Sequence, residues 1–165
     1  MSELEHADEL HVQAAQGWLE LGNLEAARLE LEQVSQDHKQ HPTVLQTRYD
    51  IFFAEGDFES AATIARTLCE VRPNIPAGWV GLASALHKLK RTGEARAVLR
   101  PLAAKFPRDH EIAFDLACYS CHLGNVDEGR DWFERAFEYG DMIEIKERAM
   151  ENPDLEPLWP EIADL

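Results

Sequence analysis

The sequence predicts an all-α fold built from a repeated pair of antiparallel helices, and three observations carry that expectation. Small residues recur at a fixed period: Ala27, Ala61, Ala95 and Gly129 are each 34 residues apart, and a period of this length marks a repeat architecture. The turns before them keep the same register, reading Leu21-Gly22-Asn23-Leu24, Glu55-Gly56-Asp57-Phe58, Leu89-Lys90-Arg91-Thr92 and Leu123-Gly124-Asn125-Val126. Between turns the apolar residues fall at helical spacing, as in Val80, Leu82, Ala83, Ala85, Leu86 and Leu89, or Ile112, Leu116, Tyr119 and Leu123. Strands have no place in this pattern.

The elements follow in chain order. The units are expected at about 8–41, 42–75, 76–109 and 110–141, with a C-terminal cap and tail over 142–165, all within a single domain of residues 1–165. Three of the four turns carry Gly followed by Asn or Asp, a left-handed helix end followed by an N-cap side chain. At the N-terminus Ser2 with Glu5 has the spacing of a capping box. The second unit should hold helices over about 43–54 and 58–71, the third over 76–89 and 93–105, with Pro42, Pro73 and Pro107 opening or closing them. Pro76 suits a first-turn position, where its missing N–H costs nothing. Pro101 falls mid-helix and should kink it or lose the bond to the Ala97 carbonyl. Asp141 and Glu144 form a second capping pair and start a short helix to about Met150. Met142, Ile143, Ile145 and Met150 on that helix are expected to seal the stack. The Pro-rich tail after it carries Leu155, Leu158 and Trp159, which should anchor it to the fold.

Composition narrows the function. A chain of 165 residues has about the length of one domain and can bury a core without disulfides or a structural metal. Sixteen Lys and Arg against 31 Asp and Glu leave a net charge of −15, which argues against nucleic-acid binding, because a phosphate backbone would repel most of this surface. No apolar run approaches the roughly 18 residues of a membrane span. The opening Met-Ser-Glu-Leu-Glu-His-Ala-Asp-Glu-Leu is acidic and lacks the basic-then-apolar plan of a secretory signal. Read from its natural start, the chain is expected in the cytoplasm. Cys69, Cys118 and Cys121 are few and odd in number, which suits a reducing compartment and no disulfide framework.

The chain resembles the tetratricopeptide-repeat family. The family's pattern W-x2-L-G-x2-Y, then A-x3-F, then P is matched in the third unit by Trp79, Leu82, Ala83 and Leu86, then Ala95 and Leu99, then Pro107. The second unit offers Leu45, Tyr49, Phe52, Ala61, Ala65 and Pro73, and the fourth Ala113, Leu116, Ala117, Ser120, Gly129 and Phe133. The first is degenerate, with His11, Ala14, Ala15, Trp18, Ala27 and Leu31, and with Lys39 where a proline would close it. The resemblance implies a right-handed α-solenoid of about four units plus a capping helix. At helical spacing, Trp18, Trp79 and Trp132 are read as packing between units.

Little points to chemistry. Cys118-Tyr119-Ser120-Cys121-His122 matches the C-x-x-C-H attachment sequence of c-type haem, but it falls mid-helix in a repeat, where small, soft residues are ordinary filling. A zinc site from Cys118, Cys121 and His122, with His87 from the equivalent place one unit earlier, is the next alternative; zinc wants four fixed ligands, and the sequence supplies no evidence of that geometry. No cofactor and no metal is therefore assigned. No nucleophile with its base, no Gly-rich phosphate loop and no paired-carboxylate site is found, so the chain is not read as an enzyme. Residues 76–109 are a basic island, seven cations against two acids, between strongly acidic flanks. It is read as neutralising its neighbours in the stack and not as a docking site.

The resemblance further implies that the first helix of each pair lines a concave groove that takes an extended peptide or a partner helix. The register assigns to that groove Val12, Gln16 and Leu19, then Gln46, Asp50 and Phe53, then Val80, Ser84 and His87, then Phe114, Cys118, Cys121 and His122. Relatives that clamp the C-terminal carboxylate of chaperones use Lys, Arg and Asn there. This chain offers Val12, Gln16, Gln46, Asp50, Val80 and Ser84, so a neutral or basic amphipathic segment is the expected ligand. The expected function is a protein-interaction adaptor with a protein or peptide partner. Two alternatives stand beside it: a small acidic secretion-type chaperone, similar in length and charge although those show three repeats, and a self-assembling scaffold joined through Phe53, Trp132 or Trp159.

Overall fold

The computed structural model describes residues 4–165 and is helical throughout, with no strand among the described residues. Its ten α-helices are α1 (His6–Glu20), α2 (Leu24–Gln33), α3 (Pro42–Glu55), α4 (Phe58–Val71), α5 (Pro76–Lys88), α6 (Thr92–Lys105), α7 (His110–His122), α8 (Val126–Tyr139), α9 (Met142–Glu151) and α10 (Trp159–Ala163). Short 3-10 turns lie at Gln36–His38 and Pro153–Leu158. Helices α3 to α6 fall within a residue of the bounds that periodicity and the prolines dictate. The chain divides into two compact units, Met1–Ala85 and Leu86–Leu165, with the division inside α5.

Local chemistry sets the helix ends. Asn23 accepts a hydrogen bond from the Ala26 N–H and Asp57 from the Ser60 N–H. Asp109 accepts from the Glu111 and Ile112 N–H groups, and Asp141 from those of Ile143 and Glu144. Each satisfies backbone donors that a helix start leaves orphaned. The N-cap of α1 is Glu5, whose side chain makes no capping bond, and Ser2, the other half of the expected capping box, lies outside the described residues. Gly22, Gly56 and Gly124 adopt left-handed φ values of 73°, 79° and 80°. The third turn has no glycine, and Lys90 takes the same conformation at φ 64°. Helix α6 runs through Pro101 without interruption; Ala97 and Pro101 are both exposed, so the carbonyl that loses its helical donor sits on the solvent side.

In the first unit, α1, α2 and α3 close a core of Val12, Ala15, Ala27, Leu31, Val34, Val44 and Ile51. The Tyr49 hydroxyl donates to the Gly81 carbonyl at 2.9 Å, tying α3 to α5. A buried polar knot fastens α1 to the connection before α3. The Ser35 N–H and hydroxyl donate to the two oxygens of Asp8 at 2.8 and 2.6 Å, and His38 Nδ1 lies 2.6 Å from Asp8 Oδ2. Although it unites Asp, His and Ser, this is no catalytic triad, because Ser35 and Asp8 both address the same imidazole nitrogen and the hydroxyl is spent on the carboxylate. These bonds, led by those from Ser35, hold the Asp8 carboxyl at about 2.

In the second unit α7 is the central element, with Ile112, Ala113, Phe114, Leu116, Ala117, Cys118, Tyr119, Ser120 and Cys121 all buried. A helix covered on nearly every side must be surrounded by others, and α6, α8 and the C-terminal segment supply that cover. Helix α8 comes so close that a Cβ on Gly129 would collide with Cys121 Sγ. The tail docks as its apolar residues require: Leu155, Leu158 and Ile162 are no more than 1% exposed, each contributing about 1.5–3 kcal/mol of transfer free energy before the cost of ordering. The Trp159 indole donates to the Ala149 carbonyl at 2.8 Å, and Arg130 grips Glu161 through two bonds of 2.6 and 2.8 Å. Two sequence expectations are corrected. Only Ile145 of the four α9 residues is buried, Met142, Ile143 and Met150 being exposed, and Trp18 is likewise exposed and not packed between units. Helix α9 turns one edge inward, so the register spread its apolar residues over more surface than the fold covers.

Two stability changes follow. Replacing Lys90 by Gly should raise stability by about 0.5–1 kcal/mol, since a left-handed conformation costs an L-residue with a Cβ about that much; thermal unfolding followed by circular dichroism reads it. Gly129→Ala should lower stability by about 1–3 kcal/mol, the usual cost of overpacking a close contact, while Gly93→Ala, at a site with open space around it, should not.

Candidate functional site

The faces presented by the first helix of each pair differ sharply between the two units. In the first unit, Gln16 is exposed and Leu19 half-buried on α1, Gln46, Asp50 and Phe53 are half-buried on α3, and Val80 and Ser84 half-buried on α5. Gln16 Nε2 donates to Thr47 Oγ1 at 3.2 Å, and Gln46 Nε2 to Asp50 Oδ1 at 3.0 Å. Loss of hydration raises the Asp50 carboxyl above the ordinary carboxylate range, with the Gln46 bond acting against it. One helical turn on, the Phe53 ring packs 5.6 Å from Tyr49 and edge-on at 5.2 Å from Phe58, which fixes its orientation. Val12, assigned to the groove by register, is 2% exposed and belongs to the core.

In the second unit the corresponding face is covered by the chain's own C-terminal segment. The Arg148 guanidinium lies 4.5 Å from the centroid of the Phe114 ring and donates to both oxygens of Glu111 at 2.7 and 2.9 Å. Asn152 Nδ2 donates to Cys118 Sγ at 3.3 Å. Asp154 bridges two imidazoles, Oδ1 accepting from His122 Nδ1 at 2.7 Å and Oδ2 from His87 Nε2 at 2.9 Å. Phe114, Cys118 and Cys121 are accordingly buried and offer a partner no surface, whereas His87 and His122 keep partial exposure.

Titration follows from this packing. Burial pushes the Cys118 thiol well above its ordinary value and raises Cys121 as well, so neither is a reactive thiolate. Both are buried residues of α7, Cys121 in its last turn. Burial lowers His87 toward its neutral form against the pull of Asp154. The Arg148 bonds lower Glu111. The Asp115 carboxyl, on the same face of α7, is pushed up to about 7 by lost hydration and by the Glu111 charge, with Arg148 opposing and Asp109 adding to the rise.

Three cations of the basic island have acidic partners: Arg91 pairs with Glu94 inside it through two bonds of 2.7 Å, and Arg96 and Arg100 converge on Glu128 of the flanking α8 at 3.2 and 3.0 Å. A different surface stands out at α9, where Met142, Ile143, Met150 and Leu165 line an apolar trough of about 800 Å³. Sequence reasoning placed His87 near His122 but missed Arg148, Asn152 and Asp154. Their only signal was negative, polar residues set between the apolar anchors of an aperiodic tail.

Antiparallel helix pairs, a 34-residue register and left-handed turn residues define a helical repeat protein. A family model described as a tetratricopeptide repeat matches residues 76–117. Among solved structures, MamA (residue 41 to its end) from Desulfovibrio magneticus superposes with a TM-score of 0.74 at 18% identity, covering 99% of this chain and 97% of that one. A thermophilic tetratricopeptide-repeat protein of Thermus thermophilus gives 0.74 at 18% over 96% and 100%, and PilF of Pseudomonas aeruginosa 0.75 at 19% over 94% and 69%. No curated protein matches. Residues 76–117 are thus similar to a tetratricopeptide repeat, and the chain as a whole has the helical fold of these solved structures.

Asp115 generates a pH-dependent expectation. Its folded value is raised above its ordinary 3.8, so the fold favours the protonated form; that contribution is complete below about pH 4 and is lost as pH rises through about 7. Asp115→Asn, which stays neutral, should therefore gain on the wild type in thermal midpoint between pH 5 and pH 8. A gap that does not change with pH would show that the carboxyl titrates normally.

Proposed function

We propose that the chain is a non-catalytic cytoplasmic binding module that takes a neutral or basic amphipathic peptide, or one face of a partner helix, on the first-helix face of its N-terminal unit. Tetratricopeptide-repeat folds generally mediate protein–protein interactions, and no helix among the described residues is long and apolar enough to cross a membrane. The observation that carries the reading is the pairing of Asp50 with Phe53. A half-buried carboxyl with raised pKa beside an oriented, half-exposed ring calls for a ligand that brings a cation or N–H together with an apolar side chain. Residues 1–75 carry five cations against fourteen acids, a field that would draw in a basic segment at low salt. Gln16, Leu19, Gln46, Val80 and Ser84 would frame the ligand. Of the other residues first assigned to the groove, Val12, Phe114, Cys118 and Cys121 are core, and His87 and His122 serve the tail.

A second reading, self-assembly, is favoured by one observation, the apolar trough on α9, because exposed patches of this kind commonly mark contact surfaces. Phe53, Trp132 and Trp159 do not carry it: Trp159 is bonded to Ala149, Trp132 stacks against Arg135 at 5.1 Å, and Phe53 packs among Tyr49 and Phe58.

Affinity capture from native cytosol separates the readings. Asp50→Lys with Phe53→Ala, and the milder Asp50→Asn, should each lose a partner that the wild type retains, with helical circular dichroism unchanged and the loss deeper for the double change. Retention of the same proteins by all three sinks the groove assignment. A mass above one chain in light scattering, abolished by Ile143→Glu and insensitive to Asp50, would establish self-assembly instead.

A further inference from the structure

We propose that His87, His122 and Asp154 form a binding site for a divalent transition-metal ion of the zinc class, and that the bound ion clips the C-terminal segment to α5 and α7. The three ligands come from three separate elements: the last turn of α5, the end of α7 and the 3-10 turn after α9. Their ligand atoms all lie within 4.8 Å of one another, and the nitrogen-to-oxygen distances are already 2.9 and 2.7 Å. A zinc ion bound at about 2.0–2.2 Å from each ligand holds them roughly 3–3.5 Å apart, so the two short contacts, made to different Asp154 oxygens, open slightly while more widely spaced ligand atoms draw together around the ion.

The site is also pre-oriented. His87 Nδ1 lies 2.9 Å from the hydroxyl of buried Thr92, which turns Nε2 toward Asp154. The Asp154 N–H donates to Asn152 Oδ1 at 3.0 Å, and Asn152 is itself anchored on Cys118. Such outer contacts fix the ring and tautomer of a metal-binding histidine. The proton balance closes without an external base. Each imidazole now donates its N–H to Asp154; on binding, the proton of His87 moves to Nδ1 and is donated to Thr92 Oγ1, which accepts as readily as it donates, and that of His122 moves to Nε2 and faces water. Two imidazoles with one carboxylate suit zinc, cobalt or nickel and not magnesium or calcium, which want oxygen ligands. Three protein ligands leave a coordination position for water.

The test titrates tag-free, full-length protein with Zn2+ by calorimetry and with Co2+ by visible absorption, beside His122→Gln and Asp154→Asn. The wild type should bind one ion per chain saturably. Each variant should lose at least tenfold in affinity, and Zn2+ should slow amide exchange over residues 152–158 in the wild type alone. His122 is the exposed last residue of its helix, so its substitution leaves the core intact, and circular dichroism verifies each variant. Affinity that survives His122→Gln would place the ion on other surface histidines such as His6 or His110 and overturn the proposal, as would the absence of saturable binding.

Discussion

Everything in this structure depends on how closely two helices of a pair can approach. At the crossing points the second helix presents Ala27, Ala61, Ala95 or Gly129, all buried, and no larger residue leaves room for backbones to meet there. Close approach lets the flanking leucines and aromatics interdigitate at native density. It also obliges each pair to find a neighbour, because one helix pair exposes more apolar surface than it covers. The three glycines and Lys90 in left-handed turns serve the same end, reversing the chain within a few residues so that the small positions come into line.

That dependence explains which parts were legible in the sequence. A 34-residue register is a property of the backbone, so helix bounds and turn residues could be read directly, and Asn23, Asp57 and Asp141 cap as their positions require, whereas the Asn125 side chain makes no capping bond. Whether a helix face is open is a property of whatever lies over it. The register placed Val12, Phe114, Cys118 and Cys121 on a groove, and their identity as lining residues of a first helix gave no warning that Arg148 would cover Phe114, Asn152 reach Cys118 and α8 close over Cys121. The tail has no period to read. Met142 and Ile143 failed in the opposite sense, apolar residues on a helix whose outer side the fold leaves uncovered.

Charge follows the same division between local and long-range. The acids outnumber the bases almost two to one, and in the second unit several arginines are engaged with named partners: Arg96 and Arg100 with Glu128, Arg130 with Glu161, Arg148 with Glu111. Exposed pairs of this kind contribute little each, under about 1 kcal/mol; their effect is orientation, holding α8 and the tail in register with α7. The first unit keeps the larger share of the excess negative charge, five cations against fourteen acids, and Asp50 stands half-buried there.

The burial of α7 has a consequence for biosynthesis. A nascent chain folds from its N-terminus as it emerges, and the residues that cover the inner side of α7 are synthesised some thirty positions after it. Until they arrive, Phe114 and Cys118 lack the cover that Arg148 and Asn152 give them. The first unit can complete itself on the ribosome, whereas the second closes only with the tail. The Cys118 thiol, buried in the finished fold, is the one whose protection waits for the tail.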